Sequence, residues 1–95
     1  NSLWWIETTG LDGIREDTYP YAYQDFLAEW AEAIRAEYPD FSIVGEIWNN
    51  APAFTAQFQE GSPLQTEFET NLPSVMDFAL SEAMRGYLPR AIPRR

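Results

Sequence analysis

The chain has no cysteine and no histidine among its 95 residues. Without thiols there is no disulfide framework and no thiolate nucleophile, and without imidazole the nitrogen and sulfur ligands of an ordinary zinc site are missing. Positive charge is scarce as well: six basic residues, all arginine, stand against fifteen acids, for a net charge of −9. Four of those arginines crowd into residues 85–95, too small a cluster to follow a nucleic-acid backbone, so nucleic acid is not an expected partner. Long apolar runs are lacking too. No stretch approaches the roughly 18 residues that a membrane span needs, and no charged-then-apolar leader opens the sequence. A membrane is therefore not an expected partner either. The acidic balance fits a neutral sugar substrate, and fits ordinary solubility equally well.

What is present is an alternation of strand-like and helix-like segments. Residues 1 to about 9 predict a helix, with Leu3, Trp4 and Ile6 apolar and Gly10 where a left-handed cap is wanted. Leu11–Thr18 predicts a strand, followed at Tyr19-Pro20-Tyr21 by a loop, because the residue before a proline is pushed towards extended geometry. Asp25 is expected to cap the next helix, in which Phe26, Leu27, Trp30, Ala31, Ile34 and Tyr38 recur at three and four residues until Pro39 stops it. Phe41–Trp48 predicts a second strand, Asn49–Pro52 a turn, and Ala53–Gln59 a short amphipathic piece. Gly61–Asn71 reads as irregular, Leu72–Leu80 as a third strand-like segment, and Ser81–Leu88 as the start of another helix. Trp4, Trp5 and Trp30 fall on helical stripes and are expected in the core. Strands joined by a helix pair in parallel most economically, which gives an α/β class.

Two carboxylates stand at the ends of the first two strands. Arg15 and Asp17 lie two residues apart, hence on one face of the strand, where the guanidinium can keep the carboxylate ionised as a nucleophile requires. Glu46 sits between Gly45 and Ile47-Trp48, an apolar setting expected to raise its pKa and keep it protonated as a proton donor. Neighbouring parallel strands lie about 4.8 Å apart, so acids at their ends fall naturally near the about 5 to 5.5 Å of a retaining glycosidase pair, whereas an inverting pair needs room for a water. Plainer readings stand beside these: Asp17 as an acid that caps a turn, Glu46 as a solvated loop-edge acid, Arg15 as one half of a stabilising ion pair. Tyr19 and Trp48 could stack on sugar rings, although aromatic side chains are more often buried. Asp77, flanked by Met76 and Phe78, reads as a structural acid.

Gly13-Ile14-Arg15-Glu16-Asp17 resembles the nucleophile motif of the α-amylase family of glycoside hydrolases, and Ile43-Val44-Gly45-Glu46-Ile47-Trp48 resembles the same family's general-acid motif. Trp4-Trp5-Ile6-Glu7, Asp17-Thr18-Tyr19-Pro20-Tyr21 and Leu72-Pro73-Ser74-Val75-Met76-Asp77-Phe78 are similar to the neopullulanase and cyclomaltodextrinase branch. The resemblance implies a partial (β/α)8 TIM barrel of about three consecutive strands with intervening helices. Residues 1–95 would then be a fragment of the catalytic barrel domain, since a complete barrel takes about 250 residues. It also implies that Asp17 is the nucleophile and Glu46 the general acid, with Arg15, Tyr19 and Trp48 on the substrate side. The implied substrate is an α-glucan oligosaccharide cut at α-1,4 bonds: a maltooligosaccharide, a cyclodextrin or pullulan. An α-glucosyl transferase using the same acids, and a non-catalytic carbohydrate-binding barrel, are the alternatives. No cofactor and no metal ligand are expected within this chain, while calcium is compatible with the full-length protein. A periplasmic or extracellular location is slightly favoured over a cytoplasmic one, and oligomeric state is not addressed.

Four departures from the family pattern stand out. The third catalytic aspartate and the family's aspartate and histidine motif are absent and would lie outside the chain. Glu16 occupies a position that is usually apolar because it faces the helical layer, where a carboxylate is costly unless paired or reaching water. Ala79 stands where a proline is expected.

Overall fold

Helix α1 (Ser2–Thr9) stops where the sequence supplies a glycine: Gly10 adopts φ 69° and ψ 32°, and its amide returns to the Ile6 carbonyl at 2.9 Å. That left-handed cap costs glycine little and turns the chain into β1 (Gly13–Glu16). A single 3-10 turn (Tyr19–Tyr21) then leads into α2 (Gln24–Glu37), β2 (Ser42–Gly45), α3 (Pro52–Ala56), β3 (Ser74–Val75) and α4 (Phe78–Ala91). The computed structural model describes residues 1–65 and 68–91. Within the expected irregular segment Gly61–Asn71, residues 66 and 67 therefore lie outside the described residues, as do Arg94 and Arg95 of the basic C-terminal cluster.

The three strands form one parallel sheet in the order β1-β2-β3. Its register pairs Ile14 with Ile43, Arg15 with Val44 and Glu16 with Gly45. Ile14 and Ile43 share one face, and the core gathers there: Ile43 and Ile47 with Leu27, Ala31 and Ile34 of α2, Ile6 of α1, and Leu72 from the approach to β3. A fully buried isoleucine or leucine contributes about 1.5–3 kcal/mol relative to an exposed one, so this face holds the sheet to α2. The opposite face, that of Arg15, has no covering layer among the described residues. The Cα radius of gyration is 16.1 Å, against about 12 Å for a closed globule of this length. Such a sheet, helices on one side and the other side open, is a run of consecutive units from a (β/α)8 barrel.

A strap between α3 and β3 fixes how Leu72 enters the core. Arg35 on α2 pairs with Glu60 and donates to the Asn71 carbonyl at 3.2 Å. Asn71, in the left-handed region at φ 56°, sends its side-chain amide to the Ala28 carbonyl at 3.3 Å. The Glu60 amide meets the Leu72 carbonyl at 2.8 Å, and the Thr70 hydroxyl donates to the Phe58 carbonyl at 2.7 Å. Leu72 is thereby fully buried.

Several expectations are corrected. The strands are shorter than the apolar runs that suggested them: β1 ends at Glu16, and two residues on Thr18 swings to φ 48° and takes the chain away from the sheet. Helix α4 starts at Phe78, three residues before the expected Ser81, because Asp77 caps it: its Oδ1 accepts the Leu80 amide at 2.8 Å. Asp77 is thus the structural acid the sequence suggested. Asp25 is not the cap of α2. Tyr23 holds that position, and Asp25 lies in the first turn, where its charge suits the helix dipole. Trp4 and Trp5 are exposed, because α1 turns Ile6 and, in part, Leu3 to the core and leaves both indoles on its other side. Trp30 does pack against the core, its indole N–H donating to Ser2 Oγ at 3.0 Å, while Phe26, on the same sequence stripe, is exposed.

Candidate active site

The register that pairs Glu16 with Gly45 sets the next two residues, Asp17 and Glu46, side by side at the C-terminal ends of β1 and β2. The ladder even continues one step, the Glu46 amide donating to the Glu16 carbonyl at 2.9 Å. Arg15 reaches up from the open face between them. Its Nη1 contacts Asp17 Oδ1 at 2.8 Å, and its Nη2 contacts Glu46 Oε2. A planar guanidinium fork suits two carboxylates held in this way. Because one fork spans both acids, their carboxyls lie inside the roughly 10 Å beyond which neither glycosidase geometry operates. Arg15 and Asp17 are half open to solvent, whereas the Glu46 side chain is only 7% exposed.

A backbone donor completes the arrangement. Thr18 is a β-branched residue in the left-handed region, a conformation that costs energy and persists only where its surroundings enforce it. It aims the Thr18 amide at Glu46 Oε1, 3.1 Å away. Glu46 is consequently held below the usual carboxylate range, chiefly by that amide, then by the Trp48 indole and the Arg15 guanidinium, with burial opposing them. The expected upward shift is therefore corrected. Ile47 turns into the core rather than around the carboxyl, and donors rather than apolar groups converge on Glu46. Sequence reasoning missed the Thr18 amide, and no residue-type signal marks a backbone donor.

Tyr19 is also corrected. Instead of facing a sugar it is 1% exposed, its ring edge-on to Phe58 at 6.0 Å and 78°. The 3-10 turn folds it back beneath Gly45, where a Cβ would come within 3.4 Å of Tyr19 Cγ and 2.7 Å of Leu72 Cδ2. Its hydroxyl is buried without a partner among the described residues, and burial pushes the phenol up to about 12, with the Glu16 charge adding. Trp48 remains open to solvent at 71% exposure, its ring 5.0 Å from that of Phe78. It walls a cleft of about 420 Å³ with Asn49, Asn50, Phe78, Glu82 and Arg85.

Glu16 points away from this group, on the Ile14 side, into a cleft of about 370 Å³ beside Phe26, Leu27 and Trp30. Burial raises its pKa, with the neighbouring Asp17 adding. For a carboxyl whose folded pKa lies above its unfolded value, the stability contribution is full below the unfolded pKa and is lost as pH rises through the folded pKa. In the closed barrel, Glu16→Ile is expected to raise Tm at pH 7 by clearly more than near pH 4. Thermal melts at both pH values check this, and an equal gain at both would show that the charge is not the cause. Among the described residues no group of three or more acidic side chains is placed to hold a cation.

Fold and geometry together define a segment of a (β/α)8 barrel with an arginine-bridged carboxylate pair at its strand ends. No protein-family model matches the chain. An α-amylase of Streptomyces lividans is 28% identical over 88 residues, 87% of this chain and 9% of that protein. A cyclomaltodextrinase of a Bacillus species is 29% identical over 79 residues, 83% of this chain and 14% of that protein. Among solved structures, an Anoxybacillus α-amylase superposes with a TM-score of 0.73 at 25% identity, over 90% of this chain and 17% of its own. An α-amylase from Geobacillus thermoleovorans, solved in complex with acarbose, gives 0.72 at 27% identity, over 86% and 16%. The resemblance to the α-amylase family thus holds in sequence and in fold alike, and the chain spans less than a fifth of any of these four proteins.

Proposed function

We propose that residues 1–95 are part of the catalytic barrel domain of a retaining glycoside hydrolase that cleaves α-1,4-glucosidic bonds in maltooligosaccharides or related α-glucans. The observation that carries this reading is the Arg15 fork, which joins Asp17 and Glu46 across the ends of adjoining strands. In the first step Asp17 attacks the anomeric carbon while Glu46 gives its proton to the departing glycosidic oxygen, leaving a glycosyl ester on Asp17. In the second step Glu46, now ionised, takes a proton from water as that water attacks the ester, and Asp17 leaves. The donors on Glu46 suit the second step, in which it is a carboxylate. For the first step a bound sugar must draw Glu46 away from Arg15 and leave the guanidinium on Asp17 alone. The acarbose complex of the Geobacillus neighbour supports a glucan-type ligand.

The test is to follow reducing-end release from maltooligosaccharides and the anomer formed first, using the protein that carries this segment in a closed barrel. Turnover with retained configuration is expected there. The 95-residue chain alone is expected to release nothing and to melt without a cooperative transition, because three strands leave two unpaired edges and an uncovered inner face. An inverted first product, or turnover with cooperative melting by the isolated chain, would overturn the proposal.

A further inference from the structure

Three contacts converge on the backbone that carries Glu46, and a fourth reaches its carboxyl. The Tyr19 amide donates to the Glu46 carbonyl at 3.1 Å, and the Tyr19 ring lies against Gly45. Leu72 presses on the same glycine, as close as a missing Cβ permits. The Thr18 amide, one residue before Tyr19, reaches the Glu46 carboxyl at 3.1 Å. Tyr19 therefore touches the main chain on either side of the acid, while its own ring is shut away from solvent.

We infer that Tyr19 is a positioning residue for Glu46: its buried ring wedges beneath Gly45, fixes the peptide of the acid, and holds Thr18 in the left-handed conformation that points an amide at the carboxylate. The inference rests on the hydrolase reading above and adds to it a device that sets the acid from below. Three features of the structure favour such a device. Thr18 is strained, and strain of this kind persists only where the surrounding structure enforces it. Tyr19 is the next residue and is as buried as the core isoleucines. Pro20, in the first turn of the 3-10 segment, fixes the direction in which the chain leaves. The Tyr19 hydroxyl, buried without a partner among the described residues, contributes nothing to this role. The wedge is the ring.

The test compares Tyr19→Leu, Tyr19→Phe and Leu72→Val in the full-length enzyme. Tyr19→Leu is expected to lower kcat by about 10- to 100-fold, the range that a displacement of around an ångström costs, with KM within about twofold. Tyr19→Phe, which keeps the ring, restores the lost kcat. As the Thr18 amide slackens, the carboxyl of Glu46 titrates at higher pH, so the basic limb of the kcat/KM profile moves upward in Tyr19→Leu. NMR titration of the Glu46 carboxyl carbon reads the same shift without turnover. Should Tyr19→Leu fail to fold, Leu72→Val loosens Gly45 from the other side and is expected to give the same pattern in milder form. A rise in KM at constant kcat would make Tyr19 a sugar contact and overturn the inference. So would a fall in Tm with kinetics and Glu46 titration unmoved. If the native enzyme hydrolyses α-glucan while Tyr19→Leu changes neither, the inference alone fails. A native protein without α-glucan hydrolysis overturns both it and the reading on which it rests.

Discussion

With Asp17 as the nucleophile of the proposed hydrolase, Asp17→Asn in the protein that carries this segment in a closed barrel is expected to remove at least about 10³-fold of α-glucan turnover, as loss of a covalent nucleophile does. Asparagine matches aspartate in shape but has no charge with which to attack the anomeric carbon, so the glycosyl ester does not form. A second effect acts in the same direction. Arg15 now divides its charge between Asp17 and Glu46. Once Asp17 is neutral, the guanidinium belongs to Glu46 alone and holds the would-be acid more firmly ionised. Stability should scarcely change, because Asp17 is well exposed and anchors no core contact. The measurement is kcat and KM on maltotriose together with a thermal melt. A fall in kcat of less than tenfold at unchanged Tm would remove Asp17 from the nucleophile role.

How far the sequence could lead depended on how local the determining contacts are. Gly10 ends α1 through its own backbone, and the pairing of Asp17 with Glu46 follows from a helical crossover between two short apolar runs. Both features are written in neighbouring residues. Tyr19 misled because its burial is decided by Gly45, Phe58 and Leu72, which the sheet and the strap on Arg35 bring to it from 26 to 53 residues away in sequence. The charge on Glu46 misled for a similar reason. Its apolar sequence neighbours suggested a neutral acid, but Ile47 turns inward and the decisive donor comes from Thr18, 28 residues earlier. Trp4 and Trp5 misled in the opposite sense, since a helical stripe of aromatics says nothing about whether an element is present to cover it. Arg15 was legible as the partner of Asp17 but not as the bridge to Glu46, because a bridge depends on register and a motif does not record register.

Glu46→Gln offers the sharper dissection of the two acids, because it should separate substrates by their leaving groups. Glutamine keeps the shape and can still accept the Thr18 amide, so the loop that holds residue 46 stays in place. It cannot give a proton to a glycosidic oxygen. Maltotriose, whose leaving sugar must be protonated as it departs, is expected to lose about 10²- to 10⁴-fold in kcat/KM, the usual worth of general acid catalysis. An activated aryl α-glucoside leaves as a stable phenolate and needs no proton, so its first step should be nearly unaffected. Its second step still lacks a base to activate water, and the glycosyl ester on Asp17 should accumulate and appear as a burst of released phenol followed by slow turnover. The pH profile supplies an independent check. Glu46 must be protonated for the first step, and its donors hold its pKa low, so the native enzyme loses kcat/KM on maltotriose as pH rises through that ionisation. In Glu46→Gln that basic limb disappears. If maltotriose and the aryl glucoside lost activity equally, with the basic limb still present, the proton donor would have to be another residue, and the arginine-bridged pair would have to be read as an ion-pair network at the barrel mouth.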